Sequence, residues 1–188
     1  MVTFNSLINA LCKEKRTKEA ITMLELMIQR DLKPDIVIYS TLIHGLCNAG
    51  QLEEGTSLLN KTVNEDIIPD VVTFNILLGA ISKQGILTKA IEVLKVMEQK
   101  GVKPDKITYR TMISLYCLQG EMDKAKNVFD SMATQGFAPD FVVYEMLING
   151  YVKSERKEEA LKLAEEILQK GMTLDAAAQN MLRGLTRL

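Results

Sequence analysis

The sequence predicts an all-α fold, a solenoid built from stacked helical hairpins. Three observations predict it. The chain repeats itself every 35 residues, with closing segments at Lys33-Pro34-Asp35, Ile68-Pro69-Asp70, Lys103-Pro104-Asp105, Ala138-Pro139-Asp140 and Thr173-Leu174-Asp175. Each repeat carries two successive segments with apolar residues at helical spacing. Gly and Pro are not scattered but recur in phase between those segments. A fixed period in this range marks an array of supersecondary units, each unable to bury its apolar face without neighbours.

The repeats are 1–35, 36–70, 71–105, 106–140 and 141–175, with a partial sixth or cap over 176–188. Counting from the residue after each closing Asp, positions 4, 7, 8 and 11 are apolar throughout. In the first repeat they are Phe4, Leu7, Ile8 and Leu11, and in the fifth Tyr144, Leu147, Ile148 and Tyr151. Spacing i, i+3, i+4, i+7 is one face of a first helix. Thr3, Thr73 and Thr108 precede that face and are read as its N-caps. Position 15 is Gly50, Gly85 and Gly120 in the middle repeats, where a left-handed residue ends the helix, but Lys15 and Glu155 in the outer ones.

A second helix follows from about position 17 to position 29, with Ala20, Met23, Leu24 and Met27 as its stripe in the first repeat. Position 20 is always small: Ala20, Gly55, Ala90, Ala125 and Ala160. Small residues there let helix backbones approach. Gly101, Gly136 and Gly171 close the second helix in three repeats, with Asp31 and Asp66 in the others. Pro three residues later prevents its continuation in four of them. The segment Asn180-Met181-Leu182-Arg183-Gly184-Leu185 reads as a frayed first helix that caps the array.

Composition bounds the function. The chain has 188 residues, 47% hydrophobic and 25% charged, with no Trp. One domain is the expectation for that length. A formal net charge of −1 argues neither for nor against a polyanionic partner, so only the placement of charge can decide. No run of about 18 apolar residues occurs, so no membrane partner is expected. No signal or transit sequence is visible, and Met1 stands in phase with Ile36, Val71, Lys106, Phe141 and Ala176. The expectation is a piece of a longer array, with targeting information outside it.

Cys12, Cys47 and Cys117 all occupy position 12, a slot filled by Ser82 and Val152 elsewhere. That company reads as small and semi-buried, not as ligand or nucleophile. The odd count fits a reducing compartment. His44, the only histidine, reads as a surface residue, and the pairs Glu53-Glu54, Glu158-Glu159 and Glu165-Glu166 as solvated outer faces. Metal-ligand spacing, a phosphate-cradling glycine loop and a nucleophile–base set are all missing. The chain therefore reads as non-enzymatic, with no cofactor, no metal and no small-molecule substrate.

The phrases Val72-Thr73-Phe74-Asn75, Leu46-Cys47 and Lys100-Gly101-Val102-Lys103-Pro104-Asp105 resemble the pentatricopeptide repeat. The resemblance covers essentially the whole chain, because period, aromatic, Gly, Ala and Pro-Asp agree in phase. Uniform repeat length resembles the P-type subclass, and the Leu-Cys pairs of the first two repeats are similar to the fertility-restorer-like branch. Tetratricopeptide repeats, the neighbouring family, have a period of about 34 and a Trp-containing pattern that is absent here.

That resemblance implies a right-handed superhelical solenoid that reads single-stranded RNA, one base per repeat. By resemblance, positions 5 and 35 choose the base. The pairs are Asn5 with Asp35, Ser40 with Asp70, Asn75 with Asp105, Arg110 with Asp140, and Glu145 with Asp175. Asn180 would open a sixth reader. Under the family's code Asn with Asp favours uracil and Ser with Asp guanine, so repeats 1–3 would read 5′-UGU-3′. The chemistry expected is that a carboxylate accepts from guanine N–H groups while the Ser hydroxyl donates. Arg110 and Glu145 depart from the usual code residues, and no base is assigned there. Val2, Val37, Val72, Ile107 and Val142 at position 2 would sandwich the bases. Lys13, Lys83 and Lys153 at position 13 would face the phosphates, with Asn48 and Leu118 interrupting the stripe.

Family membership also implies work on organelle transcripts in a mitochondrion or chloroplast, in RNA processing, stabilisation or translation. Plainer readings exist for each feature. Pro-Asp before a helix is often only a turn and cap. The position-2 valines can be interhelical packing, and the lysines a solvated face. The rival function is a protein-interaction scaffold, which needs neither a polar pair at positions 5 and 35 nor a basic register at position 13.

Overall fold

The protein is described from a computed structural model, which covers residues 2–172 and Gly184, without the side chains of Val2 and Thr3. Asp175, Asn180 and the cap predicted over 176–188, save Gly184, lie outside the described residues. Among the described residues there are ten helices and no strand. The first helices of the repeats are α1 (Val2–Lys13), α3 (Ile36–Asn48), α5 (Val71–Gln84), α7 (Lys106–Leu118) and α9 (Phe141–Lys153). The second helices are α2 (Thr17–Gln29), α4 (Leu52–Asn64), α6 (Leu87–Gln99), α8 (Met122–Thr134) and α10 (Lys157–Gln169). Every second helix spans positions 17 to 29, as the periodicity predicts.

The caps differ from the prediction. Asp35, Asp70, Asp105 and Asp140 are the N-caps of α3, α5, α7 and α9, each accepting from the backbone N–H three residues on. Thr73 and Thr108 are not caps; they supply those N–H groups from inside the first turn. The first helix thus starts one turn earlier than the threonine reading puts it. An aspartate in extended backbone before the helix is a better acceptor for orphan donors than a threonine already in helical backbone. The repeated Asp therefore has a structural duty at each of its four described positions, whatever else it does.

Two compact units divide the chain, Met1–Pro104 and Asp105–Leu188. In the first, α1, α3 and α5 pack side by side, each also against its own second helix, and α2 and α4 touch the first helix that follows. The core around α1–α3 is built from Ile8, Leu11, Ala20, Leu24, Met27, Ile38, Tyr39 and Leu42, with Met23 partly buried against it. In the second unit α7 packs on α8 and α9, and α9 on α10. Tyr144, Leu147, Ile148 and Tyr151 from α9 fill its centre, with the Phe129 ring edge-on to Tyr144 at 5.1 Å. Among the described residues, Leu7 alone breaks the apolar stripe of the first helices by being exposed.

The small slots behave as predicted. Ala20, Ala90, Ala125 and Ala160 have no exposed surface. Position 12 explains its own choice of residue: a Cβ added to Gly45 would stand 2.5 Å from Cys12 Sγ, and one added to Gly150 would stand 3.1 Å from Cys117 Sγ and 2.8 Å from Met122. The cysteine of one first helix is thus seated against the next first helix at its position 10. Burial pushes the Cys12 thiol up and raises Cys47 and Cys117 to about 11. Such thiols are protonated near neutrality and unreactive.

Repeats are also tied by polar contacts. Thr17 Oγ1 donates to Gln51 Oε1 at 2.5 Å, Lys89 pairs with Glu53, and Arg156 bridges Asp123 at 2.7 Å and Glu159 at 2.8 Å. Glu166 corrects the reading of its pair as a bare solvated face. It accepts from the buried Tyr144 hydroxyl at 2.6 Å and from Lys170 at 2.7 Å. His44 is exposed, as expected.

Candidate functional site

Within each described repeat the residues singled out by position lie on the first helices, positions 2 and 5 in the first two turns and position 13 in the last turn, with the Asp that closes each of the first four repeats as the N-cap of the next first helix. The best defined set is in repeat 2. Ser40, on the second turn of α3, lies with its Oγ 2.7 Å from Thr73 Oγ1 on the first turn of α5. Thr73 Oγ1 in turn donates to Asp70 Oδ1 at 2.8 Å, and Thr73 N–H donates to the same oxygen at 2.9 Å. Positions 5 and 35 of repeat 2 are therefore joined through position 3 of repeat 3. Asp70 is exposed and Ser40 half-buried, while Thr73 is 1% exposed.

Repeat 1 is built differently. Asp35 accepts from Ile38 N–H at 3.0 Å, and Ile38 offers no hydroxyl where Thr73 has one. Asn5 Oδ1 is buried without a hydrogen-bond partner. In repeat 3, Asn75 belongs to the first unit and Asp105 to the second. Asn75 is 9% exposed, so it faces a groove and not open solvent; Lys83, His44, Cys47 and Asn48 line the same groove. Asp105 forms a reciprocal capping box with Thr108, its Oδ1 accepting from Thr108 N–H at 2.9 Å.

Repeat 4 neutralises its own carboxylate. Lys106 Nζ stands 2.9 Å from Asp140 Oδ2 and Arg110 Nη1 stands 3.9 Å from it. Burial alone would push the Asp140 carboxyl up, but the Lys106 ammonium, the Val143 N–H and the Arg110 guanidinium together hold it below its usual range. Glu145 of repeat 5 is half-buried on α9, and its position-35 partner Asp175 is outside the described residues, as is Asn180.

Position 2 settles one of the plainer readings. Val37, Val72, Ile107 and Val142 are 56%, 59%, 57% and 38% exposed, so they are not interhelical packing. Large apolar side chains beside a polar pair on an N-terminal turn can cover a planar ring. The Val2 side chain lies outside the described residues. At position 13, Lys13, Lys83 and Lys153 are exposed in the last turns of α1, α5 and α9, where the helix dipole also favours a cation. No carboxylate among the described residues forms an ion pair with any of the three. Lys153 lines a second groove with Ser114, Cys117, Leu118 and Asn149.

Sequence reasoning missed two participants. Thr73 was legible as a repeated threonine but assigned to capping. Lys106 occupies position 1, apolar at Ile36, Val71 and Phe141, and that departure was the available signal.

The fold and this repeated arrangement define a helical-hairpin repeat protein. A family model described as the PPR repeat family matches residues 1–48, 34–83 and 69–117, and another, described as the PPR repeat, matches 107–137 and 142–172. The chain belongs to the pentatricopeptide repeat family. Among solved structures it is similar to the pentatricopeptide repeat protein PPR10 from maize, with 27% identity and a TM-score of 0.69 over 98% of this chain and 26% of that one. PPR10 in complex with an 18-nt psaJ RNA element matches at 26% identity and a TM-score of 0.69, over 97% of this chain and 27% of that one. The chain thus spans about a quarter of the length of PPR10. The PPR domain of Arabidopsis thaliana protein-only RNase P 1, solved with tRNA, superposes with a TM-score of 0.82 over 100% of this chain and 98% of that one. At 15% identity that likeness shows the fold alone. No curated protein matches the chain.

Proposed function

We propose that the chain binds single-stranded RNA along the first-helix face, one base per repeat, as a non-catalytic module of the P-type. The observation that carries this reading is the set in repeat 2. There a polar pair, Ser40 and Asp70, stands on helix N-terminal turns beside Val37 and Val72, both more than half exposed. A base edge can be hydrogen-bonded by such a pair while its faces are covered by the flanking apolar side chains. The structure of PPR10, at 26% identity, was solved with an RNA element and supports the same class of partner.

By the family's code repeats 1–3 read 5′-UGU-3′, with Asn5, Asp35, Ser40, Asp70, Asn75 and Asp105 as readers. Repeat 4 is a tolerant slot, because Lys106 and Arg110 already occupy Asp140. The biological role assigned is protection, remodelling or marking of an organelle transcript in a mitochondrion or chloroplast. Five readers are few, and modest affinity is expected of the chain by itself.

Fluorescence anisotropy tests the reading with three probes: an RNA carrying U-G-U in a neutral context, the same RNA with U-A-U, and the matching DNA. Tighter binding of U-G-U, lost on Ser40→Asn, is the expected outcome. Equal binding of all three probes removes base readout and leaves an electrostatic binder. No binding at low salt favours the protein-interaction scaffold.

A further inference from the structure

We infer that Thr73 is a specificity-determining positioning residue for the nucleotide read by repeat 2, although it belongs to repeat 3. The inference rests on the base-reading role proposed above and concerns which atoms of the pair donate and which accept.

Thr73 Oγ1 has one proton and two oxygen neighbours, Asp70 Oδ1 at 2.8 Å and Ser40 Oγ at 2.7 Å. An ionised carboxylate can only accept. The threonine proton is therefore committed to Asp70, and the contact with Ser40 requires the serine to donate. That consumes the only proton of Ser40 and leaves its lone pairs for a ligand. Asp70 Oδ1 already receives two donors, Thr73 Oγ1–H and Thr73 N–H. Asp70 is an exposed residue, and its second carboxylate oxygen, Oδ2, is a further acceptor.

The pair so oriented presents two acceptors and no donor. Among base edges, guanine offers two adjacent donors, N1–H and the N2 amino group, whereas adenine, cytosine and uracil each offer a single donor group on the Watson–Crick edge. Without Thr73 the Ser40 hydroxyl is a free rotor that can donate to adenine N1 as readily as it accepts from guanine. This revises the expectation that Ser40 donates. Thr73 is buried against both partners, so the relay is built into the packing of α3 on α5. Repeat 1 shows the contrast within the same chain: Ile38 takes the place of Thr73, and Asn5 Oδ1 is buried with no partner.

The test compares the unsubstituted chain with Thr73→Val and Thr73→Ser, using RNAs that carry U-G-U or U-A-U. Thr73→Val keeps the shape and the N–H that Asp70 caps but removes the hydroxyl. It is expected to lower the U-G-U over U-A-U preference by about fivefold, through weaker U-G-U binding, tighter U-A-U binding or both. Thr73→Ser restores the hydroxyl and is expected to restore the preference, which a role in packing alone would not produce. If Thr73→Val weakens both RNAs equally, or leaves the preference intact, the relay is overturned while base reading stands. A chain that shows no preference before substitution removes the base-reading role, and this inference with it.

Discussion

Cys12 and Gly45 come from neighbouring repeats, yet each limits the other. A methyl group on Gly45 would lie 2.5 Å from Cys12 Sγ and 2.7 Å from its Cβ, closer than real side chains approach. Gly45→Ala is expected to cost about 1–3 kcal/mol, the usual range for overpacking. Cys12→Ala in the same chain is expected to recover only part of that loss, because the sulfur at 2.5 Å is gone but the Cβ at 2.7 Å remains. Urea denaturation of the two single variants and the double one measures the coupling. Asp70 has two duties that substitution can separate at the same scale. Asp70→Ala loses the α5 cap and about 1 kcal/mol of stability. Asp70→Asn keeps an oxygen for the cap but adds a donor to an acceptor-only pair. Its melting temperature is expected to stay close to that of the unsubstituted chain while its preference for guanine falls, and a preference unchanged in Asp70→Asn would confine the aspartate to capping.

At the scale of the elements, each helix end asks for a left-handed residue, and not every repeat supplies the best one. Gly85 sits at φ 69° after the first helix α5, where Lys15 adopts 58° after α1, and Gly101 sits at 70° after the second helix α6, where Asp66 adopts 57° after α4. A residue with a Cβ costs about 1 kcal/mol in that conformation. Lys15→Gly and Asp66→Gly are each expected to raise the thermal midpoint. Gly55 is the reverse case, a glycine in regular helix. A Cβ there would meet Cys47 Sγ at 3.4 Å and Leu77 Cδ2 at 3.5 Å, which is ordinary contact. Gly55→Ala is expected to stabilise α4 by about 0.8–1 kcal/mol. A destabilised Gly55→Ala variant would show that the α3–α4–α5 packing has less room than these distances give.

For the whole molecule, stability and binding carry different electrostatic signatures. Burial raises Cys47 and Cys117 to about 11 and pushes Cys12, Tyr144 and Tyr151 up; Tyr39 is raised by burial and by its bond to Glu65. Unfolded thiols ionise near about 8.5. Above that value the folded chain holds more protons than the unfolded one. The associated stability is therefore whole below about pH 8.5 and lost as pH rises through about 11. Denaturation midpoints measured from pH 7 to 11 should fall over that window and stay level below it. For binding, Lys13, Lys83 and Lys153 acting on three phosphates would give a slope of log affinity against log salt near about −2. Replacing the three with Gln should flatten the slope without changing base preference.

The one-dimensional pattern determined a good deal of this protein. Hairpin boundaries, the two apolar stripes and the small slots at positions 12 and 20 were all legible, whereas the readers at positions 5 and 35 came from family resemblance and remain a proposal. Helix periodicity, Pro, and Gly act within a few residues of where they stand, so a chain that repeats them announces its fold. The first-helix caps were misplaced by one turn because Thr and Asp are both good cap residues. Only backbone geometry shows which of them sits outside the helix. The tertiary structure alone decided what lies across repeats: Cys12 against Gly45, the exposure of Val37 and Val72, Lys106 on Asp140, and the hydroxyl of Thr73 between Ser40 and Asp70. The physical reason is separation along the chain. Ser40 and Thr73 are 33 residues apart, and their hydrogen bond exists because α3 packs on α5, a condition that no local pattern encodes.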